Sequence, residues 1–308
     1  MTGTRTANPR SNKIRKSFGV RAFTVFNYAF LGLFALITFY PFWYILIASF
    51  NTGPDFARGG VYLLPRVFTL DNYKKAFENK QIVDAFVISV GRTGIGIVLG
   101  LFFTALMAYA IHIKTLPGRT GIVLYFFITT IISGGMIPYF LLLRGLGLTR
   151  SFFIYVWPHI YNFYNMILIR TYFDGIPPEL RESARIDGAG EWRTLIQIFL
   201  PTSMPVLATV ALFLGVGHWN DWFTGAYYVT NQKLMPAATL LQKILQEASS
   251  QQSIKPGQET AIYAMSASTT PQSLQMAFVM ILTMPIVAVY PFLQKYYVKG
   301  VMVGSVKG

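Results

Sequence analysis

Six apolar runs, each near the length of a membrane-crossing helix, constrain this chain more than any other feature. They cover approximately residues 22–50, 85–111, 120–143, 151–172, 204–223 and 275–296. A bilayer's hydrocarbon core is about 30 Å thick, so about 20 apolar residues in a helix cross it. Lipid offers backbone N–H and C=O groups no hydrogen bonds, so each run must satisfy its own, and a helix does this within one segment. The expectation is an all-α polytopic membrane protein of six transmembrane helices. Its bundle covers 22–296, with a basic N-terminus at 1–21 and a tail at 297–308. Only 12% of the residues are charged, half the share in ordinary soluble domains.

Charge suggests how the bundle is oriented. Residues 1–21 hold Arg5, Arg10, Lys13, Arg15, Lys16 and Arg21 and no acid. A secretory signal also begins with basic residues, but its apolar region is only about 7–15 residues long and ends at a small-residue cleavage site. The first run is about twice that length and continues through Pro41, Trp43 and Tyr44, so it reads as an uncleaved span. An even number of spans puts both termini on one side. The dense basic N-terminus places that side in the cytoplasm. The formal net charge of +14 flanks apolar spans and forms no basic stripe with interleaved aromatics, so nucleic acid is rejected as a partner. With no cysteine, thiol chemistry is excluded. His112, His159 and His218 are too scattered to suggest a metal site. In the second run, Gly96 and Gly100 make a G-x-x-x-G step, continued by Thr104 and Ala108. Small residues at this spacing let helix backbones approach closely.

The most informative stretch is the loop before the fifth run, 174–201. Pro177 and Pro178 suit a helix start, where a missing N–H costs nothing, and Glu179 and Glu182 complement the dipole of the first turns. Gly188 can end this helix at positive φ. A second helix is expected from about 191 to 200, with Pro201 as its end or a kink. Leu180, Ala184 and Asp187 share one face of the first helix, which reads as a small exposed knob able to fit a partner's groove.

These residues resemble a known motif. Glu182-Ser183-Ala184, three residues, Gly188, nine residues, Ile198, one residue and Leu200-Pro201 is similar to the EAA loop of ABC importer permeases. That pattern reads E-A-A, three, G, nine, I, one, L-P, and Ser183 is the one departure. The resemblance implies a coupling helix seated in a cleft of a separate ATPase, with Leu180, Glu182, Ser183, Ala184, Asp187 and Gly188 at the interface. The chain has no G-x-x-x-x-G-K-[ST] loop, so it is not read as an enzyme; ATP and Mg would be bound by the partner ATPase, with no cofactor in this chain. Ala184-Arg-Ile-Asp-Gly-Ala189, Trp219-Asn220-Asp221 and the tail 297–308 further resemble the carbohydrate branch, the maltose- and oligosaccharide-type permeases. That branch implies a second, non-identical permease, an ATPase dimer and an extracytoplasmic solute-binding protein. It also makes Gly304 and Lys307 candidates for a second ATPase contact.

Polar and aromatic groups inside apolar runs are candidates for a sugar path, because burying polar groups in lipid is costly. They are Arg92, Trp157, His159, Tyr161, Asn162, Asn165, Trp219, Asn220 and Asp221, with Arg92 and Asp221 as a prospective pair. The aromatic residues have a second reading as interfacial belts. The loop 225–274 is longer than a simple connector and is expected to meet the binding protein. Competing classes are an importer permease for another solute, a membrane enzyme, and an ATP-independent channel or secondary transporter. The acidic residues do not converge on a catalytic cluster, and the last class needs no EAA loop.

Overall fold

The computed structural model describes residues 18–251 and 268–305. Regular structure within them is helical, apart from one isolated bridge between Asn51 and Phe68. In chain order the helices are α1 (Phe18–Ser49), α2 (Gly53–Ala57), α3 (Asp71–Glu78), α4 (Lys80–His112), α5 (Arg119–Ile131), α6 (Met136–Gly145), α7 (Phe163–Phe173) and α8 (Pro178–Ile186). Next come α9 (Glu191–Thr194), a π turn (Leu195–Phe199) and α10 (Leu200–Thr202), which run on from one another. The last are α11 (Met204–Asn220), α12 (Phe223–Tyr227), α13 (Ala237–Gln251) and α14 (Pro271–Ser305).

Among the described residues, three helical segments are long and apolar enough to cross a membrane: α1, α4 and Gln272–Val289 within α14. Two bent pairs raise the number to five if each is one crossing. The first is α5 with α6, bent by 116°, and the second is Glu191–Thr202 with Met204–Tyr227, bent by 84°. The run 120–143 is therefore not one straight helix. It breaks at 132–135, where Gly135 takes φ +84°, a conformation that only glycine adopts cheaply.

The run 151–172 also departs from a single helix. It is a series of 3-10 turns followed by α7, which has 11 residues. Three local signals fragment it. Ser151 accepts from Phe153 N and Asn162 from Asn165 N (3.0 Å), so each starts a new turn, and Pro158 sits in the first turn of a 3-10 segment. Asn and Ser side chains that cap the backbone in this way favour starts over interiors.

Helix α4 is the axis of the bundle. Its small-residue face, Gly96, Gly100, Thr104, Ala105 and Ala108, is buried, and α7 and α11 pack against α4. Leu214 of α11 lies 3.3 Å from where a Gly100 Cβ would stand. The core next to it contains Tyr109, Ile111, Met166, Ile169, Phe173, Phe199 and Val210. At the far end of the bundle a polar knot replaces apolar packing. The Asn72 amide donates to Ser49 O and Asn51 O, both at 2.9 Å, and accepts from Ser273 Oγ at 2.8 Å. One buried side chain thus joins α1, α3 and α14.

The close approach at Gly96 makes a prediction. A Cβ there would collide with the buried ring of His218, whereas one at Gly94 would meet nothing within 4 Å. Overpacking of this kind costs about 1–3 kcal/mol. Gly96→Ala is expected to lower the melting temperature in detergent, and Gly94→Ala to leave it unchanged. Equal melting of the two variants would contradict this packing.

Candidate coupling loop and translocation-path residues

The loop between α7 and α11 folds as two short helices meeting at Gly188. Pro178 occupies the first turn of α8 and Glu179 complements the dipole there. Gly188 at φ +77° ends the helix, and Ala189 N donates back to Ala184 O at 2.8 Å. This backbone closure after α8 satisfies a carbonyl that would otherwise lack a partner. Leu180, Glu182, Ser183, Asp187 and Gly188 are exposed.

One expectation changes. Ala184 is only 7% exposed and packs into its own chain, so it is not part of a protruding knob. The prominent apolar side chain is Ile186, 86% exposed, with Leu180 at 43%. Sequence reasoning missed Ile186, although it lies two residues from Ala184 and so on the opposite side of a helix. Pro201 marks a kink, the second of its two expected readings: the helix continues to Thr202 and bends at Ser203. The π turn Leu195–Phe199 immediately precedes it. A widened turn accommodates a residue that has no N–H and whose ring crowds the carbonyl four positions back.

Glu191 ties this loop to the bundle. Its Oε1 accepts from Arg181 at 2.9 Å and Arg185 at 3.2 Å, both on α8, and its Oε2 accepts from Tyr109 Oη of α4 at 2.5 Å. The Tyr109 ring meets Phe199 edge-on at 5.0 Å and Phe173 at 6.3 Å. Nearby, His112 Nδ1 lies 2.6 Å from Asp174 Oδ1. Burial pushes the Glu191 carboxyl up, but the hydrogen bonds from Tyr109 and Arg181 and the two guanidinium charges outweigh it and hold the group below its ordinary value. Sequence alone could not identify this hub, because Tyr109 lies 82 residues away.

The path candidates divide into two groups. Arg92 is fully buried, donates to Asp221 Oδ2 at 3.4 Å and to the carbonyls of His218 and Asp221, and stands 4.9 Å from the Tyr155 ring centroid. The expected pair therefore exists. Asp221 Oδ1 also accepts from Thr224 N at 3.1 Å. His159 is exposed, with its ring 5.8 Å from that of buried His218. Asn220 is exposed beside them in sequence, whereas Trp219 is core: it donates to Leu282 O at 3.0 Å and meets Phe86 edge-on at 5.7 Å.

The remaining candidates lie around α7. Asn162 is its cap, Asn165 is buried within it, and Tyr161 lies tilted against Phe126 at 4.7 Å. Trp157 is 48% exposed and stacks on Phe153 at 5.9 Å. A cavity of about 230 Å³ lies beside the Trp219 segment, with Asn220, Trp222, Gln242 and Thr283 in its lining. Sequence reasoning missed Tyr155 and did not select His218. Gly304 lies in α14, and Lys307 lies outside the described residues.

Comparison with known proteins agrees with this architecture. No family model matches the chain. The polygalacturonan/rhamnogalacturonan transport system permease protein YtcP of Bacillus subtilis is 36% identical over 290 residues, covering 94% of this chain and 99% of YtcP. Protein LplC of the same organism is 37% identical over 288 residues, covering 94% and 96%. In a solved bacterial ABC transporter involved in import of the acidic polysaccharide alginate, one chain superposes with a TM-score of 0.84. It is 29% identical, and the match covers 92% of this chain and all of that one. The fold is thus that of an ABC importer permease. More narrowly, the chain belongs to the carbohydrate ABC transporter permeases.

Two predictions follow from the geometry. Arg92→Met leaves two carbonyls and a carboxylate without their shared donor, and breaking a buried pair from one side costs about 3–5 kcal/mol. Its yield and melting temperature should fall sharply, and adding Asp221→Asn should restore part of the loss. For Glu191 the sign follows from its lowered folded value: its stabilisation is present above the ordinary carboxyl range and is lost as pH falls through the lowered value. Hydrogen exchange in 178–194 should therefore be faster in Glu191→Gln than in wild type at neutral pH, with the difference closing in acid. A pH-independent difference would rule this role out.

Proposed function

We propose that this chain is one of two unlike permeases in a binding-protein-dependent importer, and that it imports an oligosaccharide across a bacterial plasma membrane. The observation that carries this reading is the loop at 174–201. It has the spacing of the EAA motif, stands exposed at one end of the bundle, and is tied by Glu191 to Tyr109 of α4. In this reading α8 seats on a separate ATPase dimer through Leu180, Glu182, Ser183, Asp187 and Gly188, with Ala184 supporting the helix from behind. ATP and Mg are held by that dimer. Gly304 and Lys307 extend the contact from the tail.

The same reading gives the chain six crossings. Three are the long helices, the fourth is the bent pair of α5 and α6, the fifth is α11 beyond the bend at Ser203, and the sixth is the 3-10 segment with α7. Both termini are then cytoplasmic, the bundle is 22–296, and the loop 225–274 faces the binding protein. Helix α4 carries movement inward. From Tyr109 to Arg92 is 17 residues, about 26 Å along the axis, so a tilt of α4 at the coupling end reaches the Arg92–Asp221 clamp. Exposed His159, Asn220 and Trp157 line one side of the sugar path, with Arg92, Tyr161, Asn162, Asn165, Trp219 and Asp221 supporting that wall. The names of the similar proteins, a polygalacturonan/rhamnogalacturonan system and an acidic polysaccharide importer, favour an oligosaccharide of an acidic polymer as cargo.

The test is mild-detergent purification of tagged protein from its native membrane. Wild type should bring a second permease and an ATPase with it. Gly188→Val places a β-branched side chain at positive φ, which costs about 1–2 kcal/mol or roughly tenfold in the equilibrium constant for the folded loop. ATPase recovery and oligosaccharide uptake should fall, by up to about that factor, while the second permease is retained. A lone chain or homo-oligomer from wild-type membranes would defeat the reading.

A further inference from the structure

The first loop beyond α1 turns back along the helix it has just left. Thr52 N donates to Val67 O at 3.1 Å and Thr69 N to Phe50 O at 2.8 Å, pairing the two ends of the loop just past Ser49. Gly59 and Gly60, both at positive φ, reverse the chain. The Arg66 guanidinium then closes the loop: it donates to Asp55 Oδ2 at 3.0 Å, to Asp55 O at 3.1 Å and to Gly59 O. Asp55 Oδ2 accepts in addition from Asn51 Nδ2 at 2.8 Å, and Asn51 Oδ1 accepts from Val67 N at 2.9 Å. Val61 is buried, at 2% exposure. The loop is thus braced by its own polar groups.

Its tip is apolar and outward. Tyr62, Leu63 and Leu64 are 63%, 68% and 71% exposed. A hydrogen bond sets their depth: Trp43 Nε1 donates to Leu63 O at 3.0 Å. Trp43 precedes the end of α1 by six residues, about 9 Å of helix, and helical side chains lean further toward the N-terminus. The tip therefore hangs well below the end of α1. Counting from Ala22, about 20 residues cross the hydrocarbon and end near Tyr40, so Trp43 stands at the interface, where tryptophan is enriched. At this level Phe39, Tyr40 and Phe42 of α1 are also exposed, so helix and loop tip present neighbouring apolar surface. Arg58, beside the reversal at Gly59 and Gly60, is exposed.

We propose that Tyr62, Leu63 and Leu64 form a membrane anchor seated at the headgroup–acyl boundary of the leaflet remote from the coupling loop. This requires only that α1 crosses the bilayer. The anchor holds the loop against lipid on one side, while the Asn72 knot holds it to α3 and α14 on the other. It thereby gives the outer end of the bundle a fixed depth.

The chain has no cysteine, so single labels are clean. The test places a nitroxide at Leu64→Cys, at Tyr62→Cys and, as a water-facing reference, at Arg58→Cys. Each protein is reconstituted, with the subunits that purify with it, into phosphatidylcholine–phosphatidylglycerol vesicles. Collisions with oxygen, which partitions into lipid, are compared with collisions with a water-soluble nickel chelate. The expected result is an oxygen-to-nickel ratio several-fold higher at 62 and 64 than at 58. A nickel-dominated signal at 62 and 64 would put the tip in water. Low accessibility to both reagents would put it against another protein. Either result overturns the proposal, and two tip positions guard against one label disturbing assembly.

Discussion

The buried guanidinium of Arg92 is the constraint around which the bundle is organised. It sits at zero exposure on α4, and an isolated charge in such surroundings is too costly to persist unpaired. Its partners come from the end of α11, where the helix stops and the carbonyls of His218 and Asp221 become free to accept. The clamp therefore requires α11 to end at Asn220. It also requires α4 to be slim there, because His218 must lie against Gly96. The small-residue face of α4 and the position of Trp219-Asn220-Asp221 thus serve one contact.

A second polar hub, at Glu191, sits at the other end of the same helix. Salt bridges exposed to solvent are individually weak, and Glu191 is partly exposed. Its value lies in geometry: one carboxylate receives two guanidinium groups from α8 and a phenol from α4. The apolar block of Tyr109, Phe173 and Phe199 backs that junction. A displacement of α8 cannot be absorbed in the loop without separating these groups. In the proposed importer, α4 becomes the rod joining coupling loop and path.

How much of this was legible in the sequence depends on the range of the signal. The Gly188 break, the proline start of α8 and the small-residue stripe of α4 are local, and each appears where its residue chemistry puts it. The Arg92–Asp221 pair could be anticipated because an intramembrane charge needs a partner. Apolar run length failed at 120–143 and 151–172. Length measures transfer to lipid and says nothing about backbone continuity, which Gly135, Ser151, Pro158 and Asn162 decide. The burial of Ala184 and the Tyr109–Glu191 bond depend on tertiary approach, which no spacing encodes.

The distribution of exposed groups bears on how the chain works. His159, Asn220 and Trp157 are polar or aromatic and exposed in this chain taken alone, although the sequence puts them within or beside apolar runs. Left against lipid, His159 and Asn220 would be an energetic liability. The physical cost disappears if they face a wet path closed on its other side by a second subunit. Asp221 fits the same scheme: Arg92 clamps it, and part of its side chain stays exposed. In the proposed importer a single chain would then supply one wall, whose charge is settled internally and whose neutral polar groups are left to meet cargo. That division suits an oligosaccharide, which needs hydrogen-bonding groups and stacking faces spread along a path more than it needs one tight charged site.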